Sequence, residues 1–196
     1  MITKVVTCPR TAVQWLLWDG AKHPFDGKPW HLVSIYGEPS EELLTGDAAA
    51  RLRNVGMAAC MSERFWDITD NPETLEALKA EGKEYVLFDR AMARRVSDFI
   101  AERTTEPGDD ILVCQCGAGV SRSGAVGAFA CEVFGLDCVE FLRRNHAHPN
   151  PFVLRLLREE AGLAGKSAFM TALEAEQERQ RVETKRLIEK YGSLFV

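Results

Sequence analysis

A cysteine and an arginine lie six positions apart in the stretch C-G-A-G-V-S-R, residues 116–122. The run I-L-V-C-Q precedes the cysteine, and small residues follow the arginine. Because Gly117 and Gly119 permit backbone angles that other residues avoid, the N–H groups of the stretch can turn inward. Inward N–H groups at the start of a helix bind an anion, and the guanidinium of Arg122 matches two phosphate oxygens. The predicted phosphate-binding residues are Gly117, Ala118, Gly119, Val120, Ser121 and Arg122.

The sulfur of Cys116 is expected at the base of this phosphate loop. The N–H groups that bind an anion also stabilise a thiolate, which is the nucleophilic form of cysteine. A thiolate beneath a bound phosphate is placed for in-line attack on phosphorus. Ser123, directly after the arginine, can donate a hydrogen bond to the sulfur and help it leave when a phosphoenzyme is hydrolysed. The predicted catalytic residues of the loop are therefore Cys116, Arg122 and Ser123.

The segment C-G-A-G-V-S-R-S-G resembles the signature loop of cysteine-dependent protein tyrosine and dual-specificity phosphatases. F-W-D-I at residues 65–68 is similar to the F-x-D-I segment of bacterial members, and P-N-P-F-V-L-R at residues 149–155 to their P-N-x-x-V-x-R segment. The resemblance covers roughly residues 2–163. It implies hydrolysis of phosphate monoesters through a cysteinyl-phosphate intermediate, without a metal or organic cofactor.

The resemblance also implies an aspartic acid that protonates the leaving group from a mobile loop before the signature strand. Asp67 matches the F-x-D-I position and is the predicted general acid and base. Asp70 lies in the same loop and is the alternative. Asp89 lies where the N-cap of a helix is expected, so a structural role suits it better.

Two positions depart from the family pattern. Gln115 stands where the family usually has a histidine directly before the nucleophile, and Trp66 stands where many relatives have a second aspartate. Since glutamine carries no charge, we expect Cys116 to be less readily ionised here than is usual in the family.

The substrate is predicted from the interior of the loop, which has no Lys or Arg before Arg122. Enzymes that act on highly phosphorylated inositides often carry extra basic residues there, so a phosphoprotein is favoured over a small phosphate ester. Phosphotyrosine and phosphoserine or phosphothreonine both stay open. The alternatives from other classes are a phosphate-binding module with little turnover, and a sulfur-transfer or arsenate-reducing enzyme.

The surrounding pattern predicts an α/β fold, with a central, mostly parallel sheet flanked by helices and the loop at the carboxyl end of a central strand. The predicted strands are residues 2–8, 31–36, 56–61 and 111–115, the last apolar on both faces. Helical spacing is seen in residues 11–18, 88–100, 123–134 and 152–157. Residues 41–54 show no clear pattern, and residues 65–73 are predicted to form a loop.

Residues 1–165 are predicted to form the catalytic domain, and residues 166–196 an extra C-terminal helix with a polar middle. This helix is expected to be anchored at both ends. It packs along its own domain, or it forms a homodimer or partner contact. The apolar residues that return near its end are Leu187, Ile188, Tyr191, Leu194 and Phe195.

Composition limits the remaining functions. The chain has 196 residues, 46% of them apolar, and a net charge of −5, which argues against a nucleic-acid or anionic membrane surface. It shows neither an apolar run long enough to span a membrane nor a signal peptide, so a cytoplasmic location with reduced cysteines is expected. His146 and His148 have no nearby acidic or cysteine cluster, so no metal site is predicted.

Overall fold

The computed structural model describes residues 1–18, 20–42, 44, 46–82, 84–104, 108–163, 165 and 168–191. Its strands are β1 (Ile2–Pro9), β2 (Trp30–Tyr36), β3 (Met57–Arg64) and β4 (Asp110–Cys116). They form one sheet in the order β1-β4-β2-β3, in which every neighbouring pair is parallel. The predicted α/β class with a central parallel sheet is confirmed.

Eight α-helices surround this sheet among the described residues. They are α1 (Arg10–Trp15), α2 (Ala48–Asn54), α3 (Pro72–Ala80), α4 (Arg90–Ala101), α5 (Arg122–Phe134), α6 (Cys138–Asn145), α7 (Pro151–Glu160) and α8 (Ala168–Tyr191). Short 3-10 helices occur at Pro39–Glu41 and Glu102–Thr104.

The sheet has helices on both faces, and the central strand β4 is buried at every position. On one face, Val113 of β4 belongs to an apolar cluster with Val13 of α1 and Leu52 of α2. On the other face, Leu112 packs in a cluster with residues of α4, α5, α6 and α7, including Val126. Burial on both faces explains why β4 is apolar throughout rather than alternating.

All four strands end at the same edge of the sheet because they run parallel. The segments that follow β1, β2, β3 and β4 begin at Arg10, Gly37, Phe65 and Gly117, so these residues meet at this carboxyl edge. In open parallel sheets, ligands bind at the carboxyl edge. The sheet topology therefore brings four segments that are distant in sequence to one place.

Three helices were not predicted from the sequence. Within the unassigned residues 41–54, α2 buries Leu52 alone, and α3 buries no residue, so neither shows a clear apolar stripe. The loop predicted over residues 65–73 is shorter, because Asn71 caps α3 and Pro72 begins it. The third helix, α6, is capped by Asp137, whose side chain accepts a hydrogen bond from the N–H of Glu140.

The extra C-terminal helix is present as α8, and its first half packs on the domain. Leu173 is 1% exposed and lies in the apolar cluster that contains α5, α6 and α7. Glu176, which is 4% exposed, forms ion pairs with Arg143 of α6 at 3.2 Å and with Arg179 at 2.5 Å. These contacts bind α8 to α6 along the side of the domain.

The second half of α8 does not have the predicted anchor within the described residues. Leu187 is 52% exposed and Ile188 is 64% exposed, so the expectation that these two residues hold the end of the helix is wrong. Among the described residues, no other element covers this part of the helix closely enough to bury either side chain. Leu194, Phe195 and the side chain of Tyr191 lie outside the described residues.

Within the described part of the chain, no α-helix has both the length and the apolar composition needed to cross a membrane. None of the six cysteines takes part in a disulfide. No group of three or more His, Cys, Asp or Glu side chains in the described ranges could hold a metal ion.

Gly127 is predicted to be essential for the contact between α5 and α6. A Cβ at this position would lie 2.4 Å from Cζ of Phe141, so Gly127→Ala should lower the free energy of unfolding by about 1–3 kcal/mol. Gly124→Ala is the control on the same helix, because its Cβ would come no closer than 3.3 Å to another side chain. Urea denaturation of both variants measures the difference, and equal changes would contradict this packing.

Candidate active site

The phosphate loop between β4 and α5 is held in shape through its carbonyl groups. The carbonyl of Gly117 accepts a hydrogen bond from the N–H of Arg10 (3.2 Å), that of Val120 from His148 (3.3 Å), and that of Ser121 from Asn150 (3.2 Å). In a planar trans peptide, the C=O of one residue and the N–H of the next point in opposite directions.

The orientation of three N–H groups follows from these three bonds. The carbonyls of Gly117, Val120 and Ser121 point out of the loop towards their partners, so the N–H groups of Ala118, Ser121 and Arg122 point towards its interior. The loop thus has the inward N–H groups that the sequence predicts, next to the N-terminus of α5. This arrangement favours a bound anion.

Gly119 is the residue in the loop that must be glycine. Its φ is +77°, in the left-handed region, and a Cβ would lie 2.4 Å from the carbonyl carbon of Cys8 at the end of β1. Both constraints exclude a side chain here. The loop can therefore approach the backbone of β1 closely enough for Arg10 to bond to Gly117.

Cys116 is the last residue of β4, and its side chain is 2% exposed at the base of the loop. Its Sγ lies 3.2 Å from Oγ of Ser123, which is fully buried in the first turn of α5. Ser123 thus contacts the sulfur directly, as the sequence suggests. A serine hydroxyl at this distance can donate a hydrogen bond to a thiolate.

The guanidinium of Arg122 is positioned by the backbone beyond β3. Its Nη1 donates to the carbonyl of Phe65 at 2.9 Å. Its Nε is buried and has no hydrogen-bond partner among the described residues. Since buried donors are almost always paired, an unpaired buried guanidinium N–H beside inward backbone N–H groups indicates a place for an oxyanion.

Asp67 lies against the phosphate loop, as the resemblance predicts. Its Oδ1 accepts hydrogen bonds from Oγ of Ser121 at 2.7 Å and from Nδ2 of Asn150 at 2.9 Å. Asp70 instead forms an exposed ion pair with Arg155 at 2.8 Å. Asp89 accepts a hydrogen bond from an N–H in the first turn of α4, which confirms its expected role as an N-cap.

Asn150 connects three parts of the site, and no role was predicted for its side chain from the sequence. Its N–H bonds to the phosphate loop at Ser121, its Nδ2 donates to Asp67, and its Oδ1 accepts from the N–H groups of Phe152 and Val153 as the N-cap of α7. The side chain is held firmly, because the residue is 5% exposed and both polar atoms are bonded. The geometry fixes Asp67 relative to the loop.

Glu41 is a second residue that the sequence did not single out. Its Oε2 accepts from the N–H groups of Gly37 (3.0 Å) and Glu38 (3.3 Å), and its Oε1 pairs with Nη1 of Arg10 at 2.9 Å. The bond from Gly37, followed by those from Glu38 and the charges of Arg10 and Arg122, lowers the pKa of this carboxyl below its usual value. Glu41 thus joins the segments after β1 and β2 beside the loop.

Gln115 points to the opposite face of the sheet from the loop interior. Its Oε1 accepts a hydrogen bond from Oγ of Ser34 on β2 at 2.7 Å, and its side chain is 1% exposed. The buried pair links the two central strands close to the nucleophile. The expected effect of Gln115 on the ionisation of Cys116 stays a prediction.

Burial holds three other cysteines in the thiol form. Burial, and secondly the charge of Cys116, raises the pKa of Cys8 to about 12. Burial also raises the pKa of the fully buried Cys114 well above its usual value, and raises that of Cys138 to about 11. A reactive thiolate at neutral pH is therefore not expected at these three positions.

The structure brings the predicted residues of the loop, Ser123 and Asp67 into one site at the carboxyl edge of the sheet. His146 and His148 are exposed in the segment between α6 and α7. The functional contacts that sequence reasoning missed are those of Arg10, Glu41 and Asn150. The sequence signal for Arg10 was its position directly after a predicted strand, and that for Asn150 was its place in the P-N-P segment. Glu41 lies in the segment after β2 and had no such signal.

The chain matches no protein-family model and no curated protein. Its structure is similar to that of Tk-PTP in the active form, with 16% identity, a TM-score of 0.37 and coverage of 90% of this chain and 92% of that one. It is also similar to PTPMT1 in complex with PI(5)P, with 16% identity, a TM-score of 0.45 and coverage of 82% and 91%.

A third similar structure is that of the human tyrosine phosphatase-like serine/threonine/tyrosine-interacting protein. It is 16% identical over 70% of this chain and 78% of that chain, with a TM-score of 0.41. These likenesses concern the fold alone.

Glu41→Gln is predicted to destabilise the protein in a pH-dependent way. The folded state lowers the pKa of Glu41 below its usual 4.5, so its contribution is present above that pH and is lost as the pH falls through the lowered value. The variant should unfold with about 1 kcal/mol less free energy than the wild type at pH 7, and with a smaller difference below about pH 4.

Denaturant titrations at both pH values, with the exposed Glu76→Gln on α3 as control, measure this effect. A difference between wild type and Glu41→Gln that persists unchanged in acid would contradict the assigned contacts.

Proposed function

We propose that the protein hydrolyses phosphate monoesters through a cysteinyl-phosphate intermediate on Cys116. One observation supports this most strongly: the carbonyls of Gly117, Val120 and Ser121 are tied outward, so that the N–H groups that follow them turn towards the interior of the loop that begins after Cys116. The buried, unpaired Nε of Arg122 adds a donor for an oxyanion in the same place. A loop that only bound phosphate would not need a cysteine at its base.

In the first step, Sγ of Cys116 attacks phosphorus while the ester P–O bond breaks. The loop N–H groups and Arg122 hold the three non-bridging oxygens, whose charge is stabilised in the transition state. Asp67 gives its proton to the leaving oxygen. Because Oδ1 of Asp67 accepts from Ser121 and Asn150, the proton is carried by Oδ2, which fixes the direction of transfer.

In the second step, water attacks phosphorus on the side from which the leaving group departed. Asp67, now a carboxylate, accepts a proton from this water, and the S–P bond breaks to release inorganic phosphate. The sulfur leaves as a thiolate, and Oγ of Ser123, 3.2 Å away, donates a hydrogen bond to it. The cycle returns Cys116 and Asp67 to their starting states without a metal or organic cofactor.

The substrate class that we propose is a phosphoprotein. Between Cys116 and Arg122 the loop has no Lys or Arg that would pair with additional phosphate groups. One phosphoryl group beside a polypeptide is therefore the better fit.

An aryl phosphate assay tests the reaction directly. The wild type should release phosphate and be inhibited by vanadate, and Cys116→Ser and Arg122→Ala should lose almost all of that activity. Tight vanadate binding by a wild type without turnover would instead support a phosphate-binding module, and turnover by Cys116→Ser would refute the mechanism.

Asp67→Asn is predicted to discriminate between leaving groups. The variant cannot protonate the leaving oxygen, so rates on alkyl phosphates should fall by about 10²–10⁴-fold, and rates on activated aryl phosphates much less. Asp70→Asn is the control and should change neither. Steady-state rates on a series of esters provide the measurement, and equal losses on both ester types would remove Asp67 from this role.

Asn150→Ser is predicted to impair catalysis while keeping the fold. Serine can still cap α7, but its shorter side chain lacks the amide N–H that Asn150 donates to Asp67. We expect kcat for alkyl phosphates to fall about tenfold with little change in KM or stability. Asn71→Ser, which replaces the N-cap of α3, is the matched control, because Asn71 does not donate to Asp67. A tenfold loss on activated aryl phosphates as well would show that Asn150 acts on the loop rather than on Asp67.

A further inference from the structure

A groove runs along the outer half of α8, on the side that faces the segment between α6 and α7. It has a cavity volume of about 640 Å³. The residues that line it include His148, Pro149, Gln177, Arg181, Lys185 and Ile188. Neither the loop chemistry nor the packing of the domain makes use of this groove.

The floor of the groove is the segment that also supports the phosphate loop. The N–H of His148 donates to the carbonyl of Val120, and the N–H of Asn150 donates to the carbonyl of Ser121. Pro149 packs against the first turn of α5, where a Cβ on Gly124 would lie 3.4 Å from its nitrogen. The segment that lines the groove at His148 and Pro149 therefore also contacts the phosphate loop.

The opposite wall exists because α8 is longer than the domain beside it. At 1.5 Å per residue, the 24 residues of α8 extend about 36 Å, whereas the 10 residues of α7 extend about 15 Å. The first half of α8 is bound through Leu173 and Glu176. Its second half supplies the other lining residues and so forms a wall beside His148 and Pro149.

The chemistry of the groove is apolar with a basic edge. Ile188, which is 64% exposed, and the buried Pro149 both line the groove. Arg181 and Lys185 line the same space, where Glu189 is the acidic lining residue, so the lining side chains have a net charge of +1. Arg181 also pairs with Glu178 at 3.4 Å, so Lys185 is the cation placed to meet an acidic group of a ligand. An apolar side chain together with an acidic one fits this surface.

We propose that this groove binds the polypeptide segment next to the phosphorylated residue of a phosphoprotein substrate. The inference rests on the proposed phosphatase function and specifies its substrate. With the phosphoryl group in the loop, the chain of the substrate crosses residues 148 and 149 and enters the groove. There an apolar side chain packs on Ile188, and an acidic side chain lies near Lys185.

Two other occupants fit this surface less well. A second copy of the chain would bring the same basic edge, with Arg181 and Lys185, against itself. A membrane surface requires a broad apolar face, whereas Ile188 lines the groove together with Arg181, Lys185 and Glu189.

Ile188→Glu tests the proposal, with Leu187→Glu as the matched control. Leu187 is the adjacent exposed apolar residue of the same helix, and it is not part of the groove lining. The probes are a phosphotyrosine peptide with Leu and Glu on both sides of the phosphotyrosine, the same peptide with Gly in place of Leu, and an aryl phosphate.

Ile188→Glu should lower kcat/KM for the leucine peptide about tenfold, while Leu187→Glu changes it little. In the wild type the leucine peptide should be the better substrate, and this preference should disappear in Ile188→Glu. Both variants should hydrolyse the aryl phosphate like the wild type, which shows that the fold and the loop are intact.

If the two variants have equal kcat/KM on the leucine peptide and hydrolyse the aryl phosphate normally, the groove proposal is wrong. The proposed phosphatase function would not be affected by that result. Two other results would also overturn the groove proposal. One is that the wild type sediments as a dimer and Ile188→Glu sediments as a monomer. The other is that the wild type binds phosphatidylserine vesicles and Ile188→Glu does not. Absence of aryl phosphate hydrolysis by the wild type would instead refute the proposed function.

Discussion

The direction of three peptide units determines the chemistry of this protein. The carbonyls of Gly117, Val120 and Ser121 are each bonded to a group outside the loop, and peptide planarity then turns the following N–H groups inward. The donors of these bonds come from the residue after β1 and from the segment before α7. The loop therefore has its shape because the parallel sheet and α7 hold it from outside, rather than through its glycines alone.

The charged groups around the loop are held in the same way. Arg122 is fixed by the carbonyl of Phe65, and Asp67 by donors from Ser121 and Asn150. Because these donors are already oriented, little free energy is spent on reorienting them when negative charge develops on a substrate. Such preorganised electrostatic stabilisation is usually the largest contribution to catalysis in sites of this kind. Burial meanwhile keeps the neighbouring thiols protonated, so that the sulfur beneath the loop is the one suited to attack.

The sequence was sufficient for the loop, the four strands and the buried character of β4, because these features are local patterns of glycine spacing and apolar runs. Glu41 and Asn150 could not be assigned from sequence, since their roles depend on parallel strand ends and a helix start that meet only in the folded chain. The helix α3 was missed because it buries nothing. The end of α8 was misjudged because helical spacing shows which residues share a face, but not whether another element covers that face.

The central claim is that one sulfur, at the base of inward-facing N–H groups, forms a covalent bond to phosphorus. Acid quenching during turnover of an aryl phosphate, followed by mass spectrometry of the digested protein, tests it most directly. The account predicts a phosphoryl group on the peptide that contains Cys116, with more of it accumulating in Ser123→Ala because the sulfur then leaves more slowly. Turnover without any phosphoryl group on that peptide in either protein would contradict it.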